Sequence, residues 1–386
     1  MNMCTDTNFD DIRPYNDSEV RPAIDRLAVN PGFYEFMGKL WKDLDKEKFL
    51  EITKDVTTRE EFRKNFLIPL FTEVTNNTTS GISIDGIDYL EEGKSYLFIS
   101  DHRDIILDSA ILNIILDKHN LKPTENAIGS NLLLTEWITD VVKLNACFTV
   151  DRGVSIKDFK ESSVQRAQYI RSRITNNTSS IWIAQREGRT KDGDDRTQHS
   201  LLKMINLSGE GSFAENFKEL NIVPVAISYE FEPCDVFKTN ELYQKQINKG
   251  YKKAADEDLN SMIYGMVSNK ERVHFSIGKP LTVVLDNLED LPSAPEQYKA
   301  LADIIDYRIH SNFKLWPDNY IAYDLLMSTN KYSDEYTSEE KESFVNNMKV
   351  KLNKLEGEEA ILNKIYLEIY ANPVINYLNV EKPKFF

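Results

Sequence analysis

Apolar and polar positions along the chain fall into three textures. From residue 8 to about residue 75, apolar and aromatic side chains recur three and four apart, which predicts helices. Asp17 reads as the cap of SEVRPAIDRLAVNP, and the same period continues through GFYEFMGKLW and KEKFLEIT. Thr57 with Glu60 reads as a capping box opening EEFRKNFLIPLF, which Pro69 should kink. The polar run from Asn76 to Gly81 reads as a breaker and a boundary, and the sequon Asn77-Thr78-Thr79 as loop sequence. Beyond it the pattern changes to short apolar runs separated by helical stretches. Ile82, Ile84 and Ile87 alternate with polar residues around Gly86. Buried strands are predicted at 96–100, 127–129, 146–150, 181–184, 223–229, 273–277 and 281–284, with helices at 105–119, 132–144 and 158–174. From residue 297 the helical period returns.

Strands alternating with helices predict an α/β fold, with a mainly parallel central sheet flanked by helices. The division that follows is a helical N-terminal region (1–80), an α/β domain (81–296) and a helical C-terminal region (297–386). In such sheets chemistry gathers in the loops at the carboxyl ends of the strands.

Composition narrows the function classes. The chain of 386 residues carries a net charge of −15, which disfavours nucleic-acid partners and repels anionic lipid, unless a local basic surface intervenes. Between Arg152 and Lys203, however, eleven lysines and arginines face six acids, a local +5 that leaves −20 for the rest. No apolar run is long enough to span a bilayer, and the N-terminus does not read as a signal peptide. The three cysteines, Cys4, Cys147 and Cys234, suggest neither a disulfide framework nor a zinc cluster, and a reducing cytoplasm is expected. Cys147 lies in an apolar strand and reads as a core residue.

Three strand-end loops carry charge. The first is Ser100-Asp101-His102-Arg103-Asp104-Ile105-Ile106-Leu107-Asp108. A histidine held by a carboxylate at one ring nitrogen is a general base at the other. The second, Thr149-Val150-Asp151-Arg152-Gly153, and the third, from Gln185 through Gly188-Arg189-Thr190-Lys191, place cations where a phosphate ester would suit them. His119, His199, His274 and His310 read as structural, and Gly209-Glu210-Gly211 as a loop. No Walker, Cys-x-x-Cys or Gly-x-Ser-x-Gly motif occurs.

These loops, in this order, resemble the glycerol-3-phosphate and lysophosphatidate acyltransferase superfamily. Ser100-Asp101-His102-Arg103 with a following Asp is similar to its first block, and Phe148-Thr149-Val150-Asp151-Arg152 to its second. Ile181 through Gly188-Arg189 is similar to the third, with wording closest to soluble plastid-type glycerol-3-phosphate acyltransferases. Ile222-Val223-Pro224-Val225 through Glu230 is similar to the fourth. Two departures stand out. The family has four residues between His and Asp, but five separate His102 from Asp108. Either Asp108 keeps the partner's place, with Asp104 capping the helix, or Asp104 itself holds the imidazole. Glu187 stands where the plastid-type block has a second glycine.

The resemblance implies transfer of an acyl group from a thioester, on acyl-carrier protein or coenzyme A, to glycerol-3-phosphate or its 1-acyl form. His102 would be the base, Asp108 or Asp104 its partner, and Arg152, Arg189 and Lys191 the phosphate site. Arg103, Glu187 and Gly188 would give support. It implies no metal or other cofactor, no nucleic acid, and a cytoplasmic enzyme peripheral to the inner face of the membrane. The helices at 105–116 and 132–144 are apolar enough to line an acyl tunnel. Rival readings are an inactive lipid- or phosphate-binding module, an O-acyltransferase for another lipid acceptor, and a metal hydrolase using His102, Asp104 and Asp108.

Overall fold

The computed structural model describes residues 9–150, 156–254 and 257–384, and the side chains of 156–159 lie outside that description. Five helices come first: α1 (Asp17–Leu27), α2 (Pro31–Met37), α3 (Lys46–Thr53), α4 (Arg59–Phe62) and α5 (Ile68–Thr78). The α/β part runs β1 (Thr79–Asp85), β2 (Leu97–Ser100), α6 (Leu107–Lys118), β3 (Thr124–Gly129), α7 (Glu136–Leu144), β4 (Cys147–Val150), α8 (Ile156–Thr175) and β5 (Ser180–Ala184). It continues with α9 (His199–Asn206), α10 (Phe213–Lys218), β6 (Ile222–Tyr229), α11 (Asp235–Ile247), α12 (Glu257–Val267), β7 (Glu271–Ile277) and α13 (Ala294–Asn312). The chain closes with α14 (Pro317–Met327), α15 (Ser338–Leu352) and α16 (Glu359–Asn379).

The seven strands form one sheet in the order β1-β7-β6-β2-β5-β3-β4. Every pair is parallel except β6 with β7. The mainly parallel sheet expected from the alternation is therefore what the chain builds. β2 lies between β5 and β6, with Leu97 opposite both Ile181 and Ile222. All four of its residues are buried, as are all eight of β6, which is why these runs read as continuous apolar sequence. Pro224 is tolerated inside β6 because its carbonyl, and hence its bare nitrogen, faces β7 just where that ladder ends: the carbonyl accepts from Gly278 at 2.8 Å, and pairing starts at Val225.

Two apolar layers cover the sheet. One face packs against α6 and the N-terminal helices, around the edge-on cluster of Phe33, Phe49 and Phe66. The other packs against α8, α9, α10 and α13. A third cluster joins α11 to α14, α15 and α16.

Several local expectations need correction. Residues 281–284 form no strand; a 3-10 turn covers Leu281–Val283. β7 is already paired on both edges, and Pro280 supplies no donor to continue a ladder. Helix gives way to strand within the polar run at 76–81, but the sequon Asn77-Thr78-Thr79 forms no loop: α5 passes straight into β1 at Thr79. There Thr75, Thr78 and Thr79 turn their hydroxyls back onto helix carbonyls and satisfy themselves. The capping box at the fourth helix is Thr58 with Glu61, one residue on from the pair expected. Asn16 caps α1, its own NH held by Glu19 at 2.7 Å, and Asp17 is the first helical residue. Helices α9 to α12 were not expected; all four are short or carry mixed polar faces.

The C-terminal helices are tied to the domain by one buried carboxylate. Asp235, at the start of α11, accepts from Lys351 at 2.7 Å and from the hydroxyls of Tyr366 and Tyr370 at 2.8 Å each. Asp235→Ala leaves a partly buried lysine and two buried phenols without their acceptor. It should lower the unfolding free energy by about 3 kcal/mol, read from urea denaturation of the full chain.

Candidate active site

The centre of the sheet decides where the chemistry sits. β2 ends at Ser100, and the chain then turns through Asp101-His102-Arg103-Asp104 before α6 begins at Leu107. His102 Nδ1 lies 2.8 Å from Asp108 Oδ2. The same carboxylate oxygen accepts the backbone NH groups of Arg103 at 2.7 Å and Asp104 at 3.0 Å. Its other oxygen accepts the Tyr229 hydroxyl at 2.8 Å. Asp108 is fully buried, and those donors together carry the cost of burying it. Burial beside Asp108 holds the Tyr229 phenol well above its ordinary value, so it stays a donor.

Asp104 has a different task. Its Oδ1 accepts the NH groups of Ile106 at 2.9 Å and Leu107 at 2.8 Å, which closes the first turn of α6. Of the two arrangements open in the sequence, the structure builds the one with Asp108 against the imidazole and Asp104 at the helix start. The additional residue in the spacing is absorbed in the loop ahead of α6. With Nδ1 engaged, Nε2 is the ring nitrogen left to exchange a proton. The edge of Trp182 packs against the ring at 5.2 Å between centroids, and Trp182 is itself fixed by a 3.0 Å bond to Ser100 Oγ.

Arg103 is buried under the loop and works as a tie. Its Nε donates to Asp101 at 2.9 Å, its Nη1 lies 3.6 Å from Glu232, and its guanidinium sits over the Phe313 ring. Burial pushes Asp101 up to about 7, with Arg103 opposing. Asp195 accepts the His102 NH at 3.2 Å from the far side, and the His102 carbonyl accepts from Thr190 NH at 2.8 Å. The third charged loop is thus stitched directly to the first.

Arg189 and Lys191 lie on that third loop, after β5. Arg189 is 7% exposed; one amino group meets Ser261 of α12, and Nη1 has no hydrogen-bond partner. That leaves one guanidinium donor unused within the fold. Lys191 pairs with Glu241 of α11 at 2.8 Å. Burial, and then Arg189, bring the Lys191 ammonium down to about 7. Burial alone would push Glu241 up, but Lys191, Lys245 and Lys253 outweigh it and hold it at about 2. Gly188 turns the chain with φ +71°, and Glu187 is exposed, its NH held by Gln198 at 2.9 Å. Arg152 lies outside the described residues. Among the described residues no three His, Cys, Asp or Glu side chains converge as a metal site.

Trp182, whose edge meets the His102 ring, also lines a narrow apolar cavity of about 110 Å³. Ile105, Ile106 and Ser109 from the start of α6 form one side, and Trp137, Ile138 and Val141 of α7 another. These are the two helices expected to line a tunnel. Two further walls were not anticipated: Phe36, Met37 and Leu70 from the N-terminal helices, and Leu259, Met262 and Met266 from α12. Met262 and Met266 lie four apart, and that spacing was the only sequence signal for the α12 wall. α12 comes close enough that a Cβ on Gly265 would lie 2.2 Å from Asp104 Oδ2. Cys147 also faces this cavity, and burial pushes its thiol up to about 12, which leaves it inert as a nucleophile.

Residues 81–228 match the family model Acyltransferase. That match covers the central α/β part of the chain, the stretch in which the blocks named above lie, and so likens this part to acyltransferases. Among solved structures, the 1-acyl-sn-glycerophosphate (LPA) acyltransferase PlsC from Thermotoga maritima aligns over 74% of this chain and 94% of its own, with 13% identity and a TM-score of 0.38. No curated protein matches the chain.

Two outcomes follow from the electrostatics. Tyr229→Phe removes one donor from a buried carboxylate and should cost about 2 kcal/mol in urea unfolding. Lys191 is neutral in the folded protein above pH about 7, whereas in the unfolded chain it holds its proton to its ordinary value of 10.5. Between those values the unfolded state binds more protons, so this residue makes stability rise with pH; below them its contribution stays at its least favourable. Lys191→Met should flatten that rise, measured as the unfolding midpoint from pH 6 to 10.

Proposed function

We propose that the protein transfers a fatty acyl group from a thioester to a hydroxyl of glycerol-3-phosphate or 1-acylglycerol-3-phosphate. The observation that carries this reading is the His102–Asp108 pair, whose imidazole packs on Trp182, a wall of the apolar cavity, with the unpartnered Nη1 of Arg189 on the adjoining loop. The acyl chain lies along the cavity, and the acceptor's phosphate on Arg189 with Lys191, which suits a guanidinium's paired donors. Arg152, on the second block, is assigned to the same phosphate by resemblance.

His102 Nε2 takes the proton of the acceptor hydroxyl as its oxygen attacks the thioester carbonyl. The tetrahedral intermediate collapses with loss of the thiolate, which takes the proton back from the imidazolium. Asp108 fixes the tautomer and stabilises the charged ring; Tyr229 and two backbone NH groups hold Asp108 in turn. No covalent acyl-enzyme is needed, and the steps ask for no metal or cofactor. The donor is an acyl-carrier-protein or coenzyme A thioester.

The additional residue between His102 and Asp108 no longer speaks for an inactive relative, because the two side chains meet at 2.8 Å. A protein with this site acts on substrates that partition into lipid. No described helix is long and apolar enough to cross a membrane. We therefore place the enzyme at the membrane surface, peripherally and on the cytoplasmic side.

The test is a product analysis in which both thioesters are offered against both acceptors. His102→Ala should reduce transfer by at least about a thousandfold. Asp108→Asn should act nearly as strongly, while Asp104→Asn should cost about 1 kcal/mol of stability and little rate. Wild-type turnover by the His102 variant would sink the proposal. Equal loss from both aspartate variants would sink the division of labour between them.

A further inference from the structure

The loop after β5 is seated on α16, a helix far outside the matched family region. From Thr190 to Arg196 its backbone runs across the C-terminal half of that helix. The Asp192 carbonyl accepts from Asn372 Nδ2 at 2.7 Å, and the Gly193 carbonyl from Asn376 Nδ2 at 3.4 Å. Asn376 returns its amide oxygen to Arg196 at 2.7 Å. Asn372 and Asn376 are four residues apart, so they stand one above the other on a single face.

Between them is Pro373, inside the helix. A proline has no NH to give to the carbonyl four residues back, so the Ile369 carbonyl lacks its usual helical partner. Gly193 packs on that spot. A Cβ at Gly193 would lie 2.4 Å from the Ile369 oxygen and 3.3 Å from the Pro373 ring, and Gly193 has φ +81°. Only a residue without a side chain fits there in that conformation. The proline makes a notch, the glycine fits it, and an asparagine on either side takes a loop carbonyl.

The same helix holds the other flank of the site. Tyr366 and Tyr370 grip Asp235, and the Tyr370 hydroxyl accepts the Glu232 NH at 3.1 Å. Glu232 in turn pairs with the buried Lys238, which donates to the Arg103 carbonyl at 2.9 Å beside His102.

We infer that α16 is a positioning element for acceptor binding: Asn372, Pro373 and Asn376 hold the loop at Asp192–Gly193 and so set where Arg189 and Lys191 meet the acceptor's phosphate. The inference rests on the acyl-transfer reading for its phosphate. Thr190 and Asp195 tie the loop to the histidine loop, and Arg189 and Lys191 have partners in Ser261 and Glu241, but the turn at Asp192–Gly193 between them is held by α16, and without it the two cations would be placed within a wider spread of positions. Misplacement on the ångström scale is costly in a site that works by orientation.

The experiment compares the full-length wild type with Asn372→Ala and with Asn372→Ala/Asn376→Ala. Asn372 is half-buried, and its single replacement removes one loop bond without opening the core. Two readouts are used: hydrogen exchange of the 189–196 backbone, and steady-state kinetics with the pairing the wild type turns over best when glycerol-3-phosphate and its 1-acyl form are each offered with acyl-coenzyme A and acyl-carrier-protein thioesters. The expected result is faster exchange across 189–196 and an acceptor KM raised about tenfold, with thioester KM and kcat within about twofold of wild type. Unchanged exchange would overturn the clamp. Accelerated exchange with an unchanged acceptor KM would overturn its role in acceptor binding. Both KM values and kcat worsening together with a falling melting temperature would reduce α16 to a merely structural part. A wild type that transfers no acyl group would strike the acyl-transfer reading, while the exchange comparison would still decide whether α16 holds the loop.

Discussion

A carboxylate without water must be surrounded by donors, and Asp108 shows what that demand imposes on a chain. It is fully buried and takes its bonds from His102, from the NH groups of Arg103 and Asp104, and from Tyr229. Two of those donors require the loop after β2 to fold back over the first turn of α6. A third requires β6 to lie beside β2 in register, so that its last residue reaches across. The imidazole is oriented as a by-product of keeping the carboxylate satisfied. This is why the parallel arrangement of β5, β2 and β6 matters to chemistry: the central strands bring His102, the Arg189 loop and Tyr229 to one end of the sheet.

Around that carboxylate the site is layered by charge and by polarity. Arg103, Asp101, Glu232 and Lys238 form a buried ionic bed beneath the loop. Such a bed adds little net stability compared with apolar packing, but breaking it by halves is expensive, so it favours one arrangement of the loop. On one side of His102 the walls turn apolar, with methionines from α12 among them. Unbranched thioether side chains adapt to a variable occupant better than branched ones. On the other side lie the cations. A substrate with a charged head and an apolar tail is matched by a site whose polarity changes across the histidine.

Much of this was legible in the sequence, and what was not has identifiable causes. The central strands announced themselves because both their faces are covered, so they read as unbroken apolar runs bounded by polar loops. His102, Arg189 and Lys191 were legible because charge at the end of such a run is unusual. The choice between Asp104 and Asp108 was not legible from spacing, since both lie within reach of a histidine on a turn. It needed the backbone donors that only the folded loop displays. Tyr229 was invisible as a partner because the period of a buried strand says nothing about which neighbour its last residue touches. Residues 281–284 were apolar enough for a strand, but strands also need a free edge, and edge availability is a property of the sheet. In the 199–267 stretch α11 and α12 show no clean amphipathic stripe and α10 is very short, whereas α9 does turn Leu202 and Ile205 inward and was legible in its period.

The regions outside the acyltransferase match are where the chain's individuality lies. The N-terminal helices are not a separate body: Arg26 of α1 binds the buried Asp140 of α7 at 2.5 Å, with Tyr15 on the same carboxylate at 2.7 Å, and α2 and α5 close one wall of the apolar cavity. The C-terminal helices grip the opposite side of the site through Asp235, Asn372 and Asn376. The strand-end loops of an α/β sheet are free to vary because nothing in the sheet itself fixes their far ends. Here the loops after β5 and β6, on either side of the histidine loop, are both held by a helix that follows the domain, while the helices that precede it brace α7. The net charge fits the same division. The basic surplus sits between Arg152 and Lys203, the stretch that includes the loop carrying Arg189, and the acids are spread over the remainder. Within the loop itself four basic residues, Arg186, Arg189, Lys191 and Arg196, face four acids, so on the proposed function any pull on a phosphate comes from where Arg189 and Lys191 are placed rather than from the loop's net charge.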